Sequence, residues 1–391
     1  MKAGRVDVTR SVAVPDMIAV ERCARLPELG PRILFFSGGS ALRPICRVLK
    51  HYTHNSIHLI TPFDSGGSSA ELRAAFSMPA VGDLRSRLMA LADESTQGNP
   101  ATYALFSHRL ASDRSGDELR AELRSMISGQ HALVSRIPGP LRRIVRSHLE
   151  TFADRMPDDF DLRHASVGNL LLAGGYLAND RNMDSVVFSF SNLVEARGLV
   201  RLIVDDDVTL YARTSDGRTT VGQHAITGRS ESDDSAFTDL WLGDADCQIE
   251  PHIEALIWEA DLICFPMGSF FTSVLANLLP RGVGRAIAEA RCPKIYIPNT
   301  GADPEQRGIS VADAIDHIAR LVRKDAGAEV PMERVLGFVL IDSERGRYQT
   351  PCSVDDIASR GIQVLDRPIV CQDHPDQLEP DAVSQILLSL G

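Results

Sequence analysis

Arg32-Ile33-Leu34-Phe35-Phe36-Ser37-Gly38-Gly39-Ser40 reads as an apolar strand that runs straight into a tight glycine turn, and the amphipathic stretch from Ala41 to His51 continues it as a helix. The unit then repeats. A second apolar run, Ile57 to Phe63, ends in Asp64-Ser65-Gly66-Gly67-Ser68-Ser69 and leads into the helical Ala70 to Phe76. Two such units in succession predict parallel strands joined by right-handed crossovers. Both glycine loops then fall at the same carboxyl edge of the sheet, which is where open α/β sheets bind ligands.

Outward from this pair, Gly82-Asp83-Leu84-Arg85 opens a helical stretch that runs to Asp93. From about residue 97 to 161 the pattern is almost wholly helical, broken by Gly and Pro, and reads as a helical insertion. Gly168-Asn169 introduce an apolar helix through Leu177. Val200 to Val204, Val208 to Arg213 and Thr219 to His224 alternate as short strands, with Asp216-Gly217 favouring a hairpin, so a small β excursion is expected at about 200–230. Asp261 to Phe265 is a buried strand, followed by the loop Pro266-Met267-Gly268-Ser269 and a helix from Phe270 to Leu279. Lys294 to Pro298 is another strand, ending at Asn299, and Gly337 to Ile341 adds a further one. The expected fold is α/β: a Rossmann-like, doubly wound, mostly parallel sheet. Residues 1–30 form an N-terminal extension to a single domain at 31–391.

At 391 residues, 44% hydrophobic and 24% charged, the chain has the composition of a globular protein with a sizeable core. A formal net charge of −11 argues against nucleic acid as a partner, because phosphate backbones need clustered Lys and Arg. An anionic ligand must therefore be held by local loops. The 7 cysteines are scattered without a C-x-x-C pair and read as reduced thiols. The first twenty residues lack the apolar core of a signal peptide, and no segment has about eighteen consecutive apolar residues, so a soluble, cytoplasmic protein with no membrane partner is expected.

The order of the loops resembles the CofD/YvcK family, in which 2-phospho-lactate transferases and nucleotide-sugar-binding regulators share a Rossmann-like sheet. The residues that carry the resemblance are Gly38-Gly39-Ser40, Asp64 to Ser69 with Leu72-Arg73, Gly82 to Arg85, Gly168-Asn169-Leu170, Gly268 to Ser273 with Asn277, and Tyr296 to Asn299. The long helical region and the N-terminal extension imply a divergent bacterial CofD-like subgroup, and three departures bear on mechanism. Asp64 is followed by Ser65 where regulators of the YvcK type have paired aspartates. Gly38-Gly39-Ser40-Ala41 replaces a glycine-glycine-threonine-glycine turn, and Met267 interrupts a proline-glycine-serine loop.

Residue chemistry gives each loop a candidate role. Gly38, Gly39 and Ser40 let backbone N–H groups approach a phosphate at a helix N-terminus, although an ordinary tight turn uses the same residues. Asp64, at a strand end, is the candidate ligand for Mg²⁺, and Asp64 with Asp83 are the candidate catalytic residues; helix capping is the competing role for both. Ser65, Gly66, Gly67 and Ser68 complete the second loop. Arg85 is a candidate phosphate grip, as is Arg73, against the plain alternative of solvated arginines. Asn169, Gly268, Ser269, Thr272, Ser273 and Asn299 offer hydrogen bonds to phosphate, ribose or base. His51, His54 and His58 read as surface histidines, while His164 is a structural residue or a member of the site.

The G-x-S-x-G elbow, the P-loop and the dinucleotide fingerprint G-x-G-x-x-G are all absent. Two functions stay open. The resemblance to CofD implies a Mg²⁺-assisted transferase that moves a phosphate-containing group from a nucleoside-diphosphate-type donor to an acceptor hydroxyl. The resemblance to YvcK implies a non-catalytic regulator that binds a nucleotide or nucleotide-sugar. It also implies a possible homodimer.

Overall fold

The computed structural model describes residues 11–95, 98–230 and 235–391. Its strands are β1 (Ile33–Ser37), β2 (Ile57–Ile60), β3 (Leu199–Leu202), β4 (Leu210–Thr214), β5 (Thr219–Val221), β6 (Phe237–Leu242), β7 (Leu262–Phe265), β8 (Lys294–Tyr296), β9 (Phe338–Ile341) and β10 (Gln363–Asp366). Seven of them form one sheet in the order β10-β9-β8-β7-β1-β2-β3, every pair parallel. The chain moves from β1 outward to β2 and β3, then returns to the other side of β1 for β7. The crevice between β1 and β7 is therefore the point where the winding reverses, the usual ligand position in such sheets.

Side chains along β1 alternate between two cores, as strand pleating requires. Ile33 and Phe35 join one cluster with Leu84, Leu88, Leu171 and Leu387, while Leu34 and Phe36 join another with Phe271, Ile287 and Ile315. Both faces of the sheet are thus covered by helices, and the strands read as continuous apolar runs because neither face meets water.

Several elements differ from the sequence expectation. Leu199–Leu202, read as the start of the β excursion, is the edge strand of the main sheet, with Ile57 opposite Leu199 and Ile60 opposite Leu202. The excursion is a separate antiparallel sheet, β5-β4-β6, whose β4-β5 hairpin turns at Asp216-Gly217 as expected, Gly217 taking a φ of 87°. Its third strand, β6, lies beyond the expected end at 230. Gln223–Thr227 is a helical turn where the last excursion strand was expected, because Gly222, at φ 86°, breaks the extended backbone. β10 escaped the sequence reading altogether, being short and bounded by charged residues.

The expected insertion at about 97–161 contains the helices Pro100–Ser107, Gly116–Ser128, Ala132–Ser135 and Gly139–Arg155; its first residue, Gln97, lies outside the described residues. Phe106, Leu123, Leu149 and Phe152 belong to the same core cluster as the sheet and the helix Val167–Ala178. The helical region is therefore joined to the main core. In the N-terminal extension, residues 1–10 lie outside the described residues. The helix Met17–Arg25 packs against the C-terminal helix Pro380–Leu390, with Asp16 N donating to Ser389 Oγ at 2.7 Å. His58 is fully buried in β2, stacked on Phe35 and bonded to Ser56 Oγ at 3.1 Å, so it is a core residue and not a surface one. No described helix is long and apolar enough to cross a membrane.

Candidate functional site

The turn after β1 sits at the winding reversal, and its geometry explains both glycines. A methyl group on Gly38 would lie 2.9 Å from Ser273 Oγ, 2.9 Å from Thr61 Oγ1 and 3.2 Å from Asp83 Oδ2, so the backbone closes on side chains from three other elements. Gly39 adopts φ 55°, a left-handed conformation that costs other residues about 1 kcal/mol or more. Its N–H donates to the Asp83 carboxylate. Burial pushes the Asp83 carboxyl up and the nearby Asp64 adds to the rise, while the Gly39 N–H, Arg87 and Arg85 pull it down.

Arg87 lies beneath this turn, almost wholly buried, with Nη1 on Cys46 Sγ at 2.8 Å and Nη2 on Ser37 Oγ at 3.3 Å. Burial raises the Cys46 thiol, so the sulfur is a neutral partner for the guanidinium under the loop. The sequence gives no warning of this residue, which falls within an amphipathic helix, Gly82–Leu91, like any other arginine.

The Asp64 loop is held in place by local bonds. Asp64 Oδ1 accepts from Gly66 N at 2.9 Å, and Oδ2 lies 3.5 Å from where a Gly82 side chain would begin. Asp64 and Asp83 thus approach each other from two elements. Arg73 donates to the carbonyls of Phe63 and Asp64 at 3.1 Å each and to Asp207 at 2.7 Å. It fastens the loop from behind and is not free to grip a ligand. Ser65 Oγ accepts from His224 N at 3.1 Å, and His224 Nδ1 lies 2.8 Å from where a Gly66 side chain would begin. The helical turn that follows β5 therefore lies against this loop, an approach between residues 159 positions apart that no local pattern signals.

Asn169 ties a further element into the cluster. Its Nδ2 donates to Ser68 Oγ at 2.9 Å and its Oδ1 accepts from Arg85 Nε at 2.9 Å. Gly168 has to be glycine for this, since an added methyl would lie 2.6 Å from Arg85 Cδ and 2.7 Å from the Phe106 carbonyl. On the other side of the β1 turn, Gly268 faces Ala41, and Asn299 holds Gly268 with both ends of its amide, accepting from its N–H at 2.8 Å and donating to its carbonyl at 2.7 Å.

Thr272 occupies a different environment from the one its sequence position suggests. It is fully buried, and its hydroxyl and N–H both bond to Glu305, which also accepts from Phe271 N and Thr227 Oγ1. Asp303 takes the N–H of Phe270. Two buried acids from the segment after β8 thus bond to the backbone of the turn after β7, where Phe270–Leu278 forms a wide turn and then a tight one in place of the regular helix expected. Thr272 is not exposed to a ligand, and Ser269 starts this turn without capping it. Burial followed by the charge of Glu305 pushes the Asp303 carboxyl up to about 7.

Ser40, Ala41, Pro44, Met267, Asn299 and Leu378 line part of a cavity of about 340 Å³ beside the turn. Its apolar walls suit a ring or sugar face, while the turn itself offers N–H groups. Asp64 and Asp83, with the hydroxyls of Thr61 and Ser65 nearby, are a hard-oxygen donor set that fits Mg²⁺, an ion that takes one or two carboxylates and completes its shell with phosphate and water. Among the described residues no group of three or more His, Cys, Asp or Glu converges on a metal position.

The sequence profile of the family described as 2-phospho-L-lactate transferase CofD matches residues 33–370. The gluconeogenesis factor of Bacillus subtilis (strain 168) is 28% identical over 87% of this chain and 91% of its own length. A putative gluconeogenesis factor of Nostoc sp. is 29% identical over 79% of this chain, and one of Clostridium acetobutylicum is 25% identical over 76%. The chain spans 56% and 55% of the length of these last two relatives. A Bacillus halodurans crystal structure, described as a member of the UPF0052 family, superposes with a TM-score of 0.69 at 21% identity, covering 92% of this chain and 99% of the other. With the matched profile running from β1 past β10, the chain belongs to the 2-phospho-L-lactate transferase CofD family.

Proposed function

We propose that the cleft binds a nucleoside-diphosphate-type ligand together with Mg²⁺ and transfers a phosphate-containing group from it to an acceptor hydroxyl. The observation that carries this reading is the convergence of Gly38, Thr61, Asp83 and Ser273 at one point, with Asp64 beside Asp83. Such a site offers backbone N–H groups to phosphate oxygens and two acids to a hard cation. Bound Mg²⁺ would neutralise charge on the diphosphate. Arg87 beneath the turn and Arg85 beside it add fixed positive charge, and positioning supplies much of the rate.

A second reading is supported by Ser65. Its hydroxyl is engaged by the backbone of His224, in the position where the family's regulators have a second aspartate, and several relatives bear the name gluconeogenesis factor and no transferase name. On this reading the cleft holds a nucleotide-sugar without turnover.

Calorimetric titration with nucleoside diphosphates and a nucleotide-sugar, with and without Mg²⁺, separates the two. Metal-dependent binding with consumption of the donor supports the transferase. Metal-independent binding without turnover supports the regulator, and the absence of any binding signal contradicts both. Ser65→Asp keeps an acceptor for His224 N–H while adding a carboxylate, and is expected to tighten Mg²⁺ by roughly tenfold.

A further inference from the structure

Arg43, Arg85 and Arg109 lie near one another, and none makes an ion pair with a carboxylate among the described residues. Arg85 bonds to Asn169 Oδ1 at 2.9 Å and to the Phe106 carbonyl at 3.5 Å, and Arg109 bonds to the His164 carbonyl at 3.1 Å. Arg43 has its Nε buried without a hydrogen-bond partner. The three come from separate places in the chain: the first turn of the helix Arg43–Leu49, the helix Gly82–Leu91, and the segment after the helix Pro100–Ser107.

Their proximity follows from the packing. One turn along from Arg43, on the same face, Arg47 Nη2 reaches Tyr103 OH at 3.3 Å, so this face of the first helix looks toward Pro100–Ser107. Arg109 pairs with Ser166 in an isolated antiparallel bridge, and Gly168 packs directly on Arg85. Arg109 and Arg43 both lie close enough to the Arg85 guanidinium to repel it, while Asp83 attracts it. The Ser166 hydroxyl is also buried without a partner, and it stands at the head of the 12-residue helix Val167–Ala178, which begins without a side-chain cap.

Three like charges and a helix N-terminus make a strongly positive cluster, and a cluster of this kind is relieved by an oxyanion. Guanidinium groups suit phosphate because each presents a planar pair of N–H donors. Asp64 and Asp83, by contrast, repel an anion until a cation sits between them. We propose that Arg43, Arg85 and Arg109 form a metal-independent phosphate subsite, which takes a second phosphate of the ligand while Asp64 and Asp83 hold the metal-bearing one. This assignment rests on the diphosphate reading of the cleft and divides that ligand between two kinds of recognition.

The test is titration of the full chain with inorganic phosphate in the presence of a chelator. Saturable binding is expected, weakened about tenfold by Arg109→Gln and again by Arg43→Gln, in line with the loss of one charge-assisted contact each. Arg109 is exposed, so its variant reports on the subsite even if the Arg43 variant folds poorly. A nucleoside monophosphate should compete with inorganic phosphate for the same arginines. Phosphate affinity unchanged in both variants, or failure of the monophosphate to compete, overturns the assignment. Mg²⁺-dependent binding of a nucleoside diphosphate without any phosphate binding sinks the subsite alone and leaves the cleft reading standing. Arginine-dependent phosphate binding with no nucleotide binding sinks the cleft reading and, with it, the claim that the phosphate belongs to that ligand.

Discussion

Asn169 Oδ1 accepts the Nε proton of Arg85 at 2.9 Å, and through this bond the helix Val167–Ala178 fixes the guanidinium beside the Gly38 turn. Because the other end of the amide donates to Ser68 Oγ, a single buried side chain connects the helices Gly67–Phe76 and Gly82–Leu91 that follow the cleft loops. Asn169→Ala removes both bonds and leaves partly buried donors and acceptors unpaired, at a cost of about 1–3 kcal/mol. Chemical denaturation checks the stability loss, and calorimetry with phosphate ligands should show a weaker Arg85 contact in the same variant.

Gly38 and Gly67 make a discriminating pair. Gly38→Ala places a methyl 2.9 Å from Ser273 Oγ and Thr61 Oγ1, inside the cleft, and overpacking of this kind costs about 1–3 kcal/mol. Gly67 has open space around it but a φ of 50°, so Gly67→Ala costs only the left-handed backbone penalty of about 1–2 kcal/mol. The two variants should therefore be similarly destabilised in thermal unfolding. Ligand affinity should fall far more in Gly38→Ala, and equal affinities would show that the turn does not face the ligand.

Stability should decline with rising pH across a defined window. Asp303 titrates at about 7 in the folded chain because it is buried beside Glu305, whose own carboxyl is raised by burial, and an unfolded aspartate titrates near about 3.9. Between those values the folded state binds protons that the unfolded state has released. The corresponding stability is complete below about pH 4 and lost as the pH rises through about 7. Asp205, also pushed up to about 7 by burial, contributes in the same direction. Urea unfolding from pH 5 to 8 should show a shallower decline for Asp303→Asn and for Asp205→Asn, and shallowest for the double variant. An undiminished slope in all three would contradict the assignment.

Much of the fold was legible because strand, glycine turn and helix are written consecutively: β1 with Gly38-Gly39, β2 with Asp64 to Gly67, and β7 with Gly268 all appear as apolar runs ended by small residues. β3 was misassigned because its alternating exposure resembles that of the neighbouring hairpin, and only its pairing with β2 shows which sheet it joins. In the site, the glycines and the two aspartates stand out by type. The partners that give them meaning do not. Arg87 and Glu305 are charged residues that sequence pattern places at the surface, yet each is buried by contacts with distant elements, and His224 reaches Ser65 from the helical turn after β5. Thr272 illustrates the converse, a promising residue type whose hydroxyl is consumed by such a hidden partner.

Ligand binding in this cleft requires these separate stretches to act as one surface. Hydrogen–deuterium exchange, compared with and without a nucleoside diphosphate and Mg²⁺, tests this most directly. Simultaneous protection is predicted at residues 37–40, 64–69, 82–85 and 166–170, which the Gly38, Gly82 and Asn169 contacts bring together. Protection confined to one of these segments, or falling on the opposite edge of the sheet, would contradict it.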